Sequence, residues 1–253
     1  MEIIKILYAT DLVQPSLNFL ERLITVSKFP IQKIVLLSDS PLPRWIEKID
    51  HLGCKAEEST LKGGSFAGRV LSTADEENVS LIIADLDKTD DGLIKGSIEK
   101  KLIKKSNVPV LITNGDNDNN ITEKGIFDNL VFATDWSVTS QKALDYLINL
   151  NDLIEALDIV NVLNKKLTVK DIRRLKKKIE EIRSICLNNK IDAESHVYAG
   201  DITDEILLAA KDYNATSIIM GTGTQKTSIK DFFSCSVSCK IAEKASIPLL
   251  VVP

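Results

Sequence analysis

The stretches IIKILYATD, Ile3 to Asp11, and NLVFATDWS, Asn129 to Ser137, both run apolar for about a strand's length and both close on aromatic-Ala-Thr-Asp. Such runs, followed at once by a polar turn, read as buried strands of a parallel sheet. An amphipathic stretch follows each, SLNFLERLITVSKF after the first and TSQKALDYLINL after the second. The closing segments match as well. GSIEKKLIKKSNVPVLI, Gly96 to Ile112, and CSVSCKIAEKASIPLLV, Cys235 to Val251, each give a helix, a small-polar pair, X-Pro and an apolar strand. The chain therefore reads as one unit written twice, and repetition over so long a period means two domains of one fold rather than a solenoid.

Length differences fall in one place. Asp11 and Asp135 are 124 residues apart and Pro109 and Pro248 are 139 apart, so the second copy is longer by 15. Most of that lies in TVKDIRRLKKKIEEIRSICLNN, a long charged helix, where the first copy has only PRWIEKIDHLG. Between the copies, NGDNDNNITEKG, Asn114 to Gly125, is rich in turn formers and poor in anything to bury. The division is thus a first domain over 1–113, a linker over 114–125 and a second domain over 126–253. Strands are expected near 3–9, 33–38, 54–58, 80–84 and 108–112, and near 129–134, 156–162, 193–198, 216–220 and 248–252. Strands alternating with helices define an α/β class, and right-handed crossovers make each sheet doubly wound, with a ligand crevice at the carboxyl ends of its strands.

Composition narrows the function. With 253 residues, 44% hydrophobic and 27% charged, the chain is an ordinary globular protein whose apolar runs are far short of a membrane span. The N-terminus starts a strand pattern without a secretory leader, so cytoplasm is the expected compartment. A net charge of −4 argues against a generic nucleic-acid or membrane binder. Cys54, Cys186, Cys235 and Cys239 have no metal-ligand spacing and read as core thiols, so no metal ligands are expected. The basic run from Lys165 to Arg183 carries Ile172, Leu175, Ile179 and Ile182 every three or four residues, which predicts a buried face with the charges on its wet side. Trp45 and Trp136 read as packing or crevice-wall residues. No nucleophile elbow or catalytic histidine setting is visible, so the chain is not expected to be an enzyme.

The residues at the carboxyl ends suggest a nucleotide. Asp11 and Asp135, each after a threonine, stand where a carboxylate accepts from ribose or adenine, or equally where it caps the next helix, a duty Ser16 or Ser137 could share. In GTGTQKTSIKDFFSCSV, Gly221 to Val237, the glycines can supply positive φ and close backbone approach. Ser234, Ser236 and Ser238 surround a helix start whose amides attract anions. The P-loop and the dinucleotide fingerprint both fail here, since Met220, Gln225 and Lys226 stand where glycines are required.

Taken in order and twice over, LYATD and VFATD, YAGDITDEILLAA, and IIMGTGT…CSVSCKIAEKASIPLLVVP resemble the universal stress protein family, UspA-like, across nearly the whole chain. The resemblance implies two flavodoxin-like domains of the adenine nucleotide alpha hydrolase-like type, each with a five-stranded parallel sheet. It also implies that their final strands, VPVLI and IPLLVV, pair across an approximate twofold as an intramolecular pseudo-dimer; further homodimerisation is left open. In one subgroup it implies ATP bound by a G-x2-G-x9-G-[ST] loop, with Mg²⁺. The second copy departs from that loop at Thr224 and Cys235; the first departs at Asp85, with Asp87, Asp90 and Asp91 crowding the phosphate position.

Carried over residue by residue, the nucleotide candidates are Thr134, Asp135, Val162, Gly221, Gly223, Thr224, Ser234, Cys235, Ser236 and Val237. A degenerate counterpart comprises Thr10, Asp11, Gly96, Ser97 and Ile98. The expected role is regulatory or protective, with ATP or another adenine nucleotide in the second domain. The competing reading is a nucleotide-free interaction module with degenerate loops. A single continuous sheet, or an Asp135 carboxylate turned away from the Gly221 bend, would contradict the account.

Overall fold

The computed structural model describes residues 4–12, 15–40, 42, 44–59, 63–86, 96–114, 124–163, 168–222 and 237–253. Its first half runs β1 (Ile4–Thr10), α1 (Asn18–Thr25), β2 (Ile31–Ser38), α2 (Trp45–His51), β3 (Lys55–Glu58), α3 (Phe66–Glu76), β4 (Leu81–Leu86), α4 (Gly96–Lys105) and β5 (Val110–Asn114). The second runs β6 (Asn129–Ala133), α5 (Val138–Asn149), β7 (Ala156–Leu163), α6 (Val169–Asn188), β8 (Ala193–Ala199), α7 (Ile202–Asp212), β9 (Ser217–Gly221), α8 (Val237–Lys244) and β10 (Leu249–Val252). Each expected strand is present within two residues, and β5 extends through Asn114, which the sequence reading gave to the linker.

The strand order is β3-β2-β1-β4-β5-β10-β9-β6-β7-β8. Each half is therefore a parallel, doubly wound five-stranded sheet with its first strand central. The two orders are mirror readings of one another about β5 and β10, as a twofold demands. Local bonds repeat too. The Ile82 N–H donates to the Pro109 carbonyl at 3.0 Å and the Ile218 N–H to the Pro248 carbonyl at 2.9 Å.

At the seam β5 and β10 pair antiparallel, with Leu249 opposite Ile112, Leu250 opposite Leu111 and Val251 opposite Val110. The ladder is thus one continuous ten-stranded sheet, an outcome that the sequence reading counted against two copied units. That criterion was mistaken, because pairing the closing strands of two copies necessarily joins their ladders. Reversal of strand sense at one pair is what marks the twofold. Both seam strands are buried, so two apolar edges cover each other. The seam is reinforced on one side by Lys100 of α4 and Glu243 of α8, 3.2 Å apart. Elsewhere Phe29 stacks on Phe127 with ring centroids 5.3 Å apart, and Ser27 Oγ accepts from the Ile126 N–H at 2.8 Å.

Two apolar layers sandwich the sheet. One joins it to α1, α2 and α5 with the end of α6, through residues such as Leu20, Trp45, Leu144 and Cys186. The other joins it to α3, α4, α7 and α8, through Val70, Leu102, Ile206 and Ile241. Trp45 is core, its ring tilted against Tyr8 at 5.6 Å. Cys54, Cys186 and Cys239 are buried thiols, and burial pushes Cys186 up to about 11; Cys235 lies outside the described residues. The expected buried face of α6 is only partly formed: Ile182 is buried, Leu175 and Ile179 are half-buried, and Ile172 is exposed. A helix of 20 residues is about 30 Å long, whereas the seven residues of β8 beneath it span about 23 Å, so its first turns overhang the edge of the sheet.

Candidate functional site

The carboxyl end of β6 is tied down by buried polar groups. The Thr134 N–H donates to the Val160 carbonyl at 2.9 Å, and Asn161 Nδ2 of β7 donates to the Thr134 carbonyl at 2.7 Å. Thr134 Oγ1 accepts from the Trp136 N–H at 3.2 Å, which starts a turn with Trp136 at φ 65°. A tryptophan in the left-handed region is an outlier that the surrounding contacts must hold. Here the half-buried ring packs on the core, with Lys178 Nζ 5.6 Å from its centroid.

Asp135 divides its carboxylate between two uses. Oδ1 accepts from the Ser137 N–H at 2.9 Å and from Ser140 Oγ at 2.7 Å, so it helps to start α5, whose formal cap is Ser137. Oδ2 has no hydrogen-bond partner among the described residues, and the side chain is exposed. Burial works to raise the Asp135 pKa, but the bonds from Ser137 and Ser140 outweigh it and hold the carboxyl below its ordinary value of 3.8. A depressed pKa contributes stability that is present above the unfolded value and is lost as pH falls through the folded one. The stability advantage of the native protein over Asp135→Ala is therefore expected to begin falling below about pH 3.9 and to be lost only as the pH passes below the depressed folded pKa, as urea titrations along a pH series would read.

Gly221, the last residue of β9, meets the start of α5. A Cβ there would stand 2.3 Å from the Thr139 carbonyl carbon and oxygen and 2.7 Å from the Ser140 nitrogen. The positive φ expected at Gly221 is not adopted; glycine is needed because helix backbone packs against it. Ser140 thus touches both, its hydroxyl donating to Asp135 Oδ1 and its backbone nitrogen lying against Gly221. Asn161 fixes β7 one residue before Val162, which is half-buried against the core. Val237 opens α8 beyond the loop. Gly223, Thr224, Ser234, Cys235 and Ser236 lie outside the described residues. Sequence reasoning missed Ser140 and Asn161; the signal for the first was Ser137-x-x-Ser140 directly after Asp135.

In the first half the same threonine turn recurs, Thr10 Oγ1 accepting from the Leu12 N–H at 3.2 Å, with Asp11 half-buried after it. There the likeness ends. α1 starts seven residues after Asp11, against three after Asp135; its formal cap position, Leu17, makes no side-chain bond, and Ser16 Oγ accepts instead from the Asn18 N–H at 3.2 Å. The register that places Ala133 beside Met220 places its counterpart Ala9 beside Ala84, so Asp85, the next residue, stands where the second half has Gly221. Its side chain does not crowd a phosphate position as the sequence suggested. It is buried and accepts from Tyr8 Oη at 2.5 Å, and the residue corresponding to Tyr8 in the second half is Phe132. Asp87, Asp90 and Asp91 lie outside the described residues. Gly96, Ser97 and Ile98 open α4, with Ile98 packed on the core.

Phenol and carboxylate thus come as a pair, and Tyr8→Phe removes one donor from a buried carboxyl. The expected cost is about 1–3 kcal/mol in urea unfolding. Unchanged stability would show that the bond contributes nothing.

A doubly wound α/β protein with a carboxylate and a glycine bend at one topological switch point belongs to the broad class whose ligands sit at the carboxyl ends of the strands. Residues 127–253 match the model of the universal stress protein family, and the chain belongs to that family. A universal stress protein from Archaeoglobus fulgidus superposes with TM-score 0.76 and 22% identity, over 98% of this chain and 96% of that one. A functionally unknown protein from Pseudomonas aeruginosa superposes at 0.69 and 15%, over 99% and 92%. These likenesses extend the shared fold through the first half. A universal stress protein from Archaeoglobus fulgidus in complex with dAMP aligns at only 0.41 and 21%, over 51% of this chain and 99% of that one, too loosely to locate a site. No curated protein matches the chain in sequence.

Proposed function

We propose that the chain is a tandem universal stress protein, with copies over 1–113 and 126–253, whose second half binds ATP or another adenine nucleotide with Mg²⁺ and whose first half does not. Its role is regulatory or protective, exerted by binding and not by turnover. The observation that carries the reading is Asp135: an exposed carboxylate fixed through Oδ1 by Ser137 and Ser140, with Oδ2 lacking a hydrogen-bond partner among the described residues, on the turn whose Ser140 packs against Gly221. A rigid acceptor at that position suits a ribose hydroxyl or an adenine amino group. In the first half the equivalent of Gly221 is Asp85, a buried side chain bonded to Tyr8 where the second half has no side chain at all.

The competing reading, a nucleotide-free interaction module, draws on the same residue, since Oδ1 already serves α5. Asp135→Asn separates the two, because it keeps an acceptor for Ser137 and replaces the open oxygen by a donor. Calorimetric titration of ATP·Mg²⁺ is expected to give saturable binding to the native protein and at least about tenfold weaker binding to Asp135→Asn. Absence of binding heat and of nucleotide released on denaturing the purified protein, with the fold intact, would leave the interaction module.

A further inference from the structure

We propose that Asp158, Glu194 and His196 form a binding site for a divalent transition-metal ion of the zinc type, at the outer edge of the second half. No local motif announces it, because the donors come from two strands. Parallel pairing sets Asp158 of β7 beside Glu194 of β8, and His196, two residues on, shares their face. One donor atom from each of the three lies within 4.8 Å of the others. Zinc bonds of about 2.0–2.1 Å place tetrahedral donors about 3.3 Å apart, so the set is slightly open, and exposed Glu194 is the side chain with room to close it.

The imidazole is already positioned. His196 Nε2 lies 2.8 Å from Asp158 Oδ1, while Nδ1 lies 3.0 Å from Tyr213 Oη and the two rings stack at 4.2 Å. In the metal-free protein Nε2–H donates to Asp158; a bound ion would displace that proton, and Nδ1–H donating to the tyrosine would then hold the ring as metal-bound histidines are held. Charge favours a cation as well. Two carboxylates face one imidazole. One nitrogen and two carboxylate oxygens suit zinc or its first-row neighbours better than magnesium or calcium, which prefer oxygen alone. Asp158 stands roughly 13 Å along the strand from Val162, so this ion is not the Mg²⁺ of a nucleotide and the inference does not rest on nucleotide binding.

Zinc chloride titrated into the full-length, chelator-treated protein by calorimetry tests it, with the fold of each variant checked by circular dichroism. The expected result is one high-affinity zinc per chain, weakened at least about tenfold in Glu194→Gln, whose exposed position spares the fold, and more in His196→Gln. Equal zinc affinity in the native protein and Glu194→Gln, or no saturable binding by about millimolar zinc, would overturn the assignment.

Discussion

Gly221→Ala is expected to destabilise the protein by about 1–3 kcal/mol or more and to weaken nucleotide binding at least tenfold. The added methyl meets the backbone of Thr139 and Ser140, not the end of a side chain that could swing aside. Either β9 retreats from the seam, breaking the register of Gly221 with Val252, or the start of α5 lifts. The second response carries Asp135 with it, because Ser140 and Ser137 are its partners. Gly200→Ala is the control. Its Cβ would stand 2.4 Å from Glu205 Oε1, the tip of a flexible side chain, and its expected cost is within about 0.5 kcal/mol. Urea unfolding and calorimetry read both effects, and a Gly221→Ala protein as stable and as competent as the Gly200→Ala protein would remove the glycine from the argument.

Leu250→Asp is expected to have the largest effect on stability, about 4 kcal/mol or more. Leu250 and Leu111 face each other across the seam, both essentially inaccessible, and the new carboxylate would have no cation beside it. Because the seam belongs to both halves, the loss should appear as one cooperative transition moved to lower urea. A biphasic curve in which the first half keeps its native midpoint would mean that the halves fold independently. Should Leu250→Asp fail to accumulate, Leu250→Ala reads the same distinction at about 2–5 kcal/mol.

What could be read from the sequence was what lies close together along the chain. Most strands were legible as apolar runs bounded by turn formers, the polar edge strands β3 and β8 only by their place in the alternation of strand and helix, and the two-half layout because Tyr8-Ala9-Thr10-Asp11 and Phe132-Ala133-Thr134-Asp135 match. Contacts between distant residues were not legible. Asp85 looked like an open acid until Tyr8, 77 positions away, proved to donate to it. Gly221 looked like a turn residue, whereas its requirement comes from Thr139 on another element. The periodicity of α6 gave the direction of its apolar stripe but not the edge of the sheet, so Ile172 was assigned to a core that does not reach it. His196 acquired neighbours only once the register of β7 and β8 was known.

The central claim is that the two copies have diverged, one keeping a nucleotide crevice and the other closing it with a tyrosine-bound aspartate. Photolabelling with 8-azido-ATP in the presence of Mg²⁺, followed by peptide mapping, tests it most directly. The account predicts label confined to peptides from residues 126–253 and displaced by excess ATP. Displaceable label on peptides from residues 1–113, alone or in equal measure, would contradict it.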